Sequence, residues 1–322
     1  MLQPFSLRCL WIFFALLIPT SVRAQGLKVT LLGTGTPIPI VERFGPSILV
    51  EAGSEKLLFD CGRGVPLRMW QLHIPLSGIT AVFFTHLHSD HVVGFPDLWL
   101  TGWLPTPFGH RTEPMRVYGP MGTNSMMLHL KKAYQADIRI RMVDEKLPRS
   151  GVTILTTEII EGVVYEKNGV KVTAFNVDHG EFIKPAFGYR IDYQGRSVVL
   201  SGDTRVSENL IRFAHGTDVL FHEVAAAKPE NLRTSEAARR IIGHHTTPED
   251  AGRVFTRVKP RLVIYTHIAL LSTDPAISAP TVGDLLSLTR KTYSGPLEVG
   301  EDLMSIDVGE AITTHRLPPP QH

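Results

Sequence analysis

The stretch His86-Leu87-His88-Ser89-Asp90-His91 places three imidazoles and one carboxylate within six residues. The preceding residues 79–85 form an apolar run, ITAVFFT, which predicts a buried β-strand. Imidazole nitrogens and carboxylate oxygens are ligands that zinc takes in proteins. A buried strand that delivered four such groups would cost free energy unless the groups coordinated something. The sequence therefore predicts a metal site in the loop at the carboxyl end of this strand.

A second metal ion follows from the number of ligands. Alternate residues of an extended chain point the same way, so His86 and His88 can hold one ion together. The chain then turns, and Asp90 and His91 can reach another ion. Because a catalytic zinc usually takes three protein ligands, the motif alone cannot complete two sites. Three more candidates follow predicted strands further along the chain: His179, Asp203 and His267.

Strand and helix patterns alternate along the whole chain. Short β-rich runs are paired around turn signals, such as Asn168-Gly169 between residues 163–166 and 170–177. Thr247 and Pro248 form a helix start, with the helix predicted to end near residue 258. No linker or repeat divides the chain. The pattern predicts an α/β fold with layered sheets and helices in a single domain.

The first 24 residues have the layout of a secretory signal peptide. Arg8 precedes an apolar run of ten residues, and Val22-Arg23-Ala24 fits a cleavage site. The run is shorter than the roughly 20 residues that cross a bilayer. We expect residues 1–24 to be removed and residues 25–322 to be secreted or periplasmic, free of the membrane. An uncleaved anchor is the alternative.

Charge and cysteine content narrow the function classes. The chain has 33 Lys and Arg against 31 Asp and Glu, and loss of Arg8 and Arg23 with the leader balances the two signs. Nucleic-acid binders usually show a basic stripe, so no nucleic-acid partner is expected. Cys61 remains alone without Cys9, which excludes an internal disulfide.

Over residues 27–310 the sequence resembles the metallo-β-lactamase superfamily, because the seven candidate ligands match its metal motifs in order. The resemblance implies an αββα sandwich as a hydrolase domain over residues 25–322. It implies that one zinc is held by His86, His88 and His179, and the other by Asp90, His91 and His267, with Asp203 bridging them. It also implies that Asp60 braces the metal loops, since outer carboxylates orient ligating imidazoles.

Within the superfamily the chain is similar to the ribonuclease Z-like branch. His222-Glu223 resembles the start of its His-Glu-Ala-Thr motif, although Val224 and Ala225 depart from it, and His245-Thr246-Thr247 resembles its His-Ser-Thr motif. The resemblance implies that His245, with His222 behind it, stabilises charge or protonates the leaving oxygen. Asp90 would orient or deprotonate the water in addition to its role as a ligand.

Two features argue against tRNA processing, namely the expected export of the chain away from tRNA and a short spacing between two candidate ligands. The opening of the chain then favours a sulfatase. Ribonuclease Z enzymes carry a tRNA-gripping arm, often between the third metal histidine and the bridging aspartate, and His179 and Asp203 are only 24 positions apart. The opening segments Gly33-Thr34-Gly35-Thr36-Pro37 and Arg43-Phe44-Gly45-Pro46-Ser47 are similar to those of secreted bacterial arylsulfatases of this branch.

The main expectation is therefore a secreted dinuclear zinc hydrolase that cleaves small-molecule sulfate esters with a metal-activated hydroxide. The alternative is a phosphodiesterase, of the cyclic-nucleotide or ribonuclease Z-like kind, with the same metal site. A lactonase or β-lactamase and a non-catalytic metal-binding protein rank lower. The expected substrate is a small sulfate or phosphate ester, and the sequence leaves a homodimer open.

Overall fold

The computed structural model describes residues 26–317. The predicted signal peptide, residues 1–24, lies outside the described residues. In the described part of the chain, no helix combines the length and the apolar character that a membrane crossing requires.

The described residues form two β-sheets flanked by helices. The first sheet has eight strands in the order β15-β14-β1-β2-β3-β4-β5-β6, and the second has seven in the order β13-β12-β11-β10-β9-β8-β7. The strands are β1 Leu27–Gly33, β2 Ser47–Ala52, β3 Glu55–Phe59, β4 Ala81–Phe83, β5 Met115–Gly119, β6 Ile154–Glu158, β7 Gly162–Lys167, β8 Val170–Asn176, β9 Phe187–Tyr193, β10 Arg196–Leu200, β11 Val219–Ala227, β12 Leu262–Leu271, β13 Leu297–Val299, β14 Ser305–Val308 and β15 Ile312–His315. The helices are α1 Val65–Gln71, α2 Ser89–Val92, α3 Phe95–Thr101, α4 Thr123–Ala133, α5 Gln135–Val143, α6 Glu208–Ala214, α7 Pro229–Thr234, α8 Glu236–Ile242, α9 Pro248–Val258 and α10 Val282–Arg290.

Three apolar layers hold the elements together. Phe83 of β4 points between the sheets, where it packs in the same core as Tyr189 of β9. Val82, its neighbour, points the other way, into the layer beneath the helices of the first sheet. A third layer joins the outer face of the second sheet to Phe255 of α9. Because strands buried on both faces need helices on both sides, the result is the αββα sandwich. The predicted fold is confirmed.

Local signals in the sequence were accurate where a cap or a turn determines the structure. Helix α9 begins after Thr247, whose side chain accepts a hydrogen bond from the Asp250 amide, and ends at Val258 as predicted. The hairpin around Asn168-Gly169 joins β7 to β8. By contrast, α5 was not predicted: it is nine residues long, and its contact with the core is limited to the partly buried Ile138 and Met142.

The topology brings strand ends of both sheets to one edge. Strands β3, β4 and β5 run parallel in the first sheet, and β10, β11 and β12 run parallel in the second. Carboxyl ends of parallel strands share one edge of a sheet, where α/β proteins gather their ligands. Here the two edges face each other, and the polar residues after β3, β4, β8 and β10 meet.

Candidate metal centre

Three histidines form the first half of the site. His86 and His88 come from the loop after β4, and His179 comes from the loop after β8 in the other sheet. His86 Nε2 lies 2.9 Å from His88 Nδ1, and His179 Nε2 lies 3.4 Å from the same atom. Three nitrogens this close can face one cation.

The second half consists of Asp90, His91 and His267. His91 Nε2 lies 3.5 Å from Asp90 Oδ2, and His267 Nε2 lies 3.4 Å from the same oxygen. All three residues are buried. The sequence prediction had assigned these two groups of three, and the structure brings both groups together.

Asp203 lies between the two groups. Its Oδ2 is 3.2 Å from His267 Nε2 and 3.3 Å from His91 Nε2. The same oxygen is 3.7 Å from His179 Nε2 and 4.0 Å from His86 Nε2. One buried oxygen within reach of imidazoles from both groups is the arrangement that a bridging ligand requires.

The hydrogen bonds of the imidazoles leave the correct atoms free for metal binding. His91 Nδ1 donates to Asp60 Oδ2 at 2.7 Å, and His179 Nδ1 donates to the His244 carbonyl at 2.9 Å. Nε2 of each ring therefore faces the cluster. His91 Nε2 is buried and, among residues 26–317, has no hydrogen-bond partner. Because an unpaired buried nitrogen is costly, this donor set fits a metal ion.

Burial and charge set the protonation of the cluster. Burial lowers the pKa of His86 well below its usual value and that of His179 to about 4. Burial raises the pKa of Asp203, but the charges of His267 and His91 outweigh it and hold this pKa well below the usual range. Burial lowers the pKa of His91, but Asp203 and Asp60 outweigh it and raise this pKa well above its usual value. Neutral imidazoles and an ionised carboxylate are the forms that bind metal, so an ion at His91 would displace its proton.

Asp60 contacts the metal loop from behind the candidate ligands, in the position that the sequence analysis expected. Besides His91, its carboxylate accepts hydrogen bonds from the Thr85 amide at 2.8 Å and the Thr85 hydroxyl at 2.9 Å. Asp60 has a positive φ of 58°, and His267 has a φ of 42°. These left-handed conformations are strained for residues with a side chain, so both positions are held by their surroundings.

A bulge in β12 turns His267 towards the cluster. His222 of β11 pairs with Tyr265, whereas Val224 pairs with Ile268, so β12 carries one extra residue opposite Glu223. Tyr265 and Ile268 both face the layer beneath α9. Without the extra residue, strict alternation would send His267 to that layer as well.

Asp60→Asn is expected to weaken zinc binding about 10- to 100-fold, because the amide loses the charge that orients His91. The measurement is zinc affinity by competition with a chromophoric chelator. Asp97→Asn is the matched control, since Asp97 is exposed on α3 and accepts only from Thr101. If Asp60→Asn binds zinc with an affinity within threefold of that of the unmodified protein, Asp60 does not brace the site.

His245 lies beside both groups of candidate ligands. Its ring centroid is 5.1 Å from that of His179 and 5.5 Å from that of His267. His245 Nδ1 lies 3.2 Å from Glu223 Oε2. Burial lowers the pKa of His245, but the charge and hydrogen bond of Glu223 outweigh it and raise the pKa to about 9. The imidazole is thus held as a proton donor.

The structure does not bring His222 to this cluster. Its ring packs on Phe255 of α9 at 5.3 Å, in the outer layer, and its Nδ1 donates to the Glu223 carbonyl. Successive residues of a strand point to opposite faces, so only one of His222 and Glu223 could face the metal. Glu223 faces it, and its Oε1 accepts from the Thr246 amide at 2.9 Å. Both faces of β11 are apolar and buried, so the sequence alone gave no signal for which of the two residues faces the cluster.

The glycine-rich opening segments are structural. Arg43 Nη1 donates to the Thr34 hydroxyl and to the Gly300 carbonyl, each at 2.7 Å. Asp302 accepts from the amides of Thr34 and Phe44 at 2.9 and 2.7 Å. A Cβ on Gly33 would lie 1.9 Å from a backbone oxygen. These contacts close the first loop against residues 300–302, so the glycine-rich pattern is explained by packing without reference to a substrate.

An αββα sandwich with a buried His and Asp cluster at the facing sheet edges defines a metal-dependent hydrolase. The chain belongs to the metallo-β-lactamase superfamily, because residues 55–268 match the model of the β-lactamase superfamily domain. It is 34% identical over 282 residues to ribonuclease Z of Mycobacterium bovis BCG, covering 88% of this chain and 98% of the relative. Ribonuclease Z of Mycobacterium marinum is 33% identical, covering 88% and 99%.

Solved structures share the fold. The metallo-β-lactamase fold protein YhfI of Bacillus subtilis superposes with a TM-score of 0.65 at 16% identity, covering 87% of this chain and 98% of the other. The short form of human tRNase Z gives the same TM-score at 21% identity, covering 88% and 99%. At these identities the likeness concerns the fold alone.

The relatives correct two predictions. The arylsulfatase function is wrong, because relatives matched almost from end to end are named ribonuclease Z. The expectation of a small-molecule substrate without nucleic acid is wrong for the same reason. The opening segments that favoured a sulfatase hold their own loop together. The balance of charges over the whole chain does not determine the electrostatic field at the metal site. The short spacing between His179 and Asp203 does not argue against a ribonuclease Z either, because a relative of that name aligns over 282 residues that cover 98% of its own length.

Proposed function

We propose that the chain is a dinuclear zinc phosphodiesterase that cleaves RNA. The observation that carries the proposal is the position of His245 beside both ligand groups, with its pKa raised to about 9 by Glu223. The alkoxide of a ribose is a poor leaving group, and its departure needs a proton donor of this kind. The relatives named ribonuclease Z support the same chemistry.

The proposed ligands are the seven residues of the predicted site. His86, His88 and His179 would hold one zinc, and Asp90, His91 and His267 the other, with Asp203 shared. When bound, two such ions supply a nucleophile at neutral pH and stabilise charge on the phosphate. Asp90 would orient the attacking water or accept its proton in addition to its role as a ligand. His245 donates its proton to the leaving oxygen, and Glu223 holds the resulting neutral ring in place.

A zinc count tests the two-ion assignment. The purified protein is expected to contain two zinc ions per chain, and His88→Ala about one, because the second group keeps all of its ligands. The measurement is elemental analysis by mass spectrometry after dialysis against zinc at micromolar concentration. His129→Ala, on the exposed face of α4, is the control and should keep both ions. A single ion in the saturated unmodified protein contradicts the assignment.

The substrate class is tested with three substrates at equal enzyme concentration: a single-stranded RNA, bis-nitrophenyl phosphate and nitrophenyl sulfate. We expect turnover of the RNA and of the phosphodiester, lost with chelator and restored by zinc. Turnover of the sulfate ester without cleavage of RNA would overturn the proposal.

We also propose that residues 1–24 direct export, so that the RNA is met outside the cytoplasm. The support is the apolar run of ten residues followed by Val22-Arg23-Ala24. Intact mass of the protein from a periplasmic extract should show a chain that begins at Gln25. An uncleaved chain confined to the cytoplasmic fraction would contradict export.

A further inference from the structure

A cleft of about 230 Å³ opens beside the first group of candidate ligands. Its floor contains His86 and His88, and its walls are apolar except for one lysine. Met121, Phe182 and Lys184 are among the residues of its walls. The cleft therefore begins at the proposed metal site and extends to the surface.

Two large apolar side chains on its walls face solvent. Phe182 is 93% exposed and Met121 is 76% exposed. Single exposed apolar residues are common on proteins, but two on the walls of one cleft that leads to an active site mark a place for a ligand. Apart from the two histidines at its floor, the lining of this cleft has no role in the proposed function.

The loop that carries Phe182 is anchored at both ends. His179, three residues before it, donates to the His244 carbonyl at 2.9 Å. At the other end, the Phe187 amide donates to the Thr85 carbonyl at 2.9 Å, and the Val177 amide closes the base of the loop on Ala186. An exposed ring on a tethered loop is positioned for contact without much further loss of conformational freedom.

We propose that Phe182 is the stacking platform for the nucleobase next to the scissile phosphate, with Lys184 on the neighbouring phosphate. This inference rests on the proposed RNA cleavage and names how the substrate is held. Single-stranded RNA is bound through exposed aromatic rings that stack on bases, with cations along the backbone. Phe182 provides the ring, and the exposed Lys184 provides the cation. Both residues line the cleft that also contains His88. Every base has a flat face, so this contact selects single strands over duplexes rather than one sequence.

Kinetics of Phe182→Ala and Phe182→Trp test the platform. On single-stranded RNA, Phe182→Ala is expected to raise KM about tenfold with kcat within about threefold, because stacking on an aromatic ring supports binding. Phe182→Trp should keep the KM of the unmodified protein, and zinc content should be equal in all variants. Ile140→Ala removes a 60% exposed apolar side chain from α5, outside the cleft, and should change neither KM nor kcat.

Abasic substrates identify the contact. One RNA lacks the base on the 5′ side of the scissile phosphate, and the other lacks the base on its 3′ side. For one of them, the unmodified protein and Phe182→Ala should show the same KM, because the partner of the ring is already missing. A Phe182→Ala variant with unchanged KM on intact RNA would overturn the platform while leaving RNA cleavage standing.

Binding measurements keep the inference separate from the proposed activity. An RNA with 2-aminopurine should lose fluorescence on the unmodified protein and on Phe182→Trp, but not on Phe182→Ala. Lys184→Ala should flatten the salt dependence of binding by about 0.7 in the log–log slope, as for one phosphate contact of a single strand. If the protein cleaves no RNA, the proposed function is wrong. The loss of 2-aminopurine fluorescence then still tests whether Phe182 stacks on a base. Equal quenching with Phe182→Ala rejects it.

Discussion

Asp203→Ala is expected to lower kcat/KM for phosphodiesters by at least about 10³-fold. Its Oδ2 lies within 4.0 Å of imidazoles from both ligand groups, so its removal weakens both proposed ions at once. Metal ions contribute several kcal/mol of transition-state stabilisation, and about 1.4 kcal/mol corresponds to tenfold in rate. Activity with bis-nitrophenyl phosphate and zinc per chain are measured together, and both should fall.

Asp192→Ala is the matched control for this change. Asp192 lies near the far end of β9, where it pairs with Arg190 at 3.0 Å, and its loss should leave zinc content and turnover unaltered. Two zinc ions retained by Asp203→Ala, with activity within tenfold, would show that Asp203 does not bridge the site.

His245→Ala is expected to reduce kcat on RNA about 10²- to 10⁴-fold, the range for loss of a general acid. Because nitrophenolate leaves without a proton, the same variant should lose less than about tenfold on bis-nitrophenyl phosphate. Zinc content should not change, since His245 is outside the proposed ligand set. Equal losses on both substrates would assign His245 to charge stabilisation instead of proton donation.

The pH profile gives an independent measure of His245. A general acid works in its protonated form, so the rate on RNA should fall as the pH rises through the pKa of His245, which Glu223 raises to about 9. Bound cations nearby lower this pKa, so the alkaline limb should lie no higher than about pH 9. Glu223→Gln removes the charge that raises the pKa, and the limb should move to lower pH. A limb that persists in His245→Ala would belong to another group.

Most of the site could be predicted from the sequence because metal binding constrains both residue type and spacing. Seven polar residues placed after apolar strands had few alternative explanations, and the topology brings all seven to one place. His222 was misplaced because the sequence shows a His-Glu pair but not which of two adjacent residues faces inwards. The bulge at His267 was also invisible, since it appears only in the pairing of β11 with β12.

The substrate was the weakest prediction, for a physical reason. Hydrolysis of sulfate and phosphate esters needs the same ions and nucleophile, so the ligand set does not distinguish them. The segment that seemed to do so contains Arg43, which holds the backbone of its own loop through Thr34 and Gly300. Residues that touch substrate have no required pattern, and Phe182 is an example.

The left-handed backbone at Asp60 and His267 has a consequence for the evolution of this protein. A left-handed conformation costs roughly 1–2 kcal/mol for an ordinary residue, whereas glycine adopts it freely and asparagine more easily than most. At Asp60 the hydrogen bonds from Thr85 and His91 offset that cost, so the strained backbone is held by the same bonds that orient the metal loop. Glycine at either position would relax the backbone and remove a side chain that the site uses, so the stability of these two turns and catalysis cannot be improved independently.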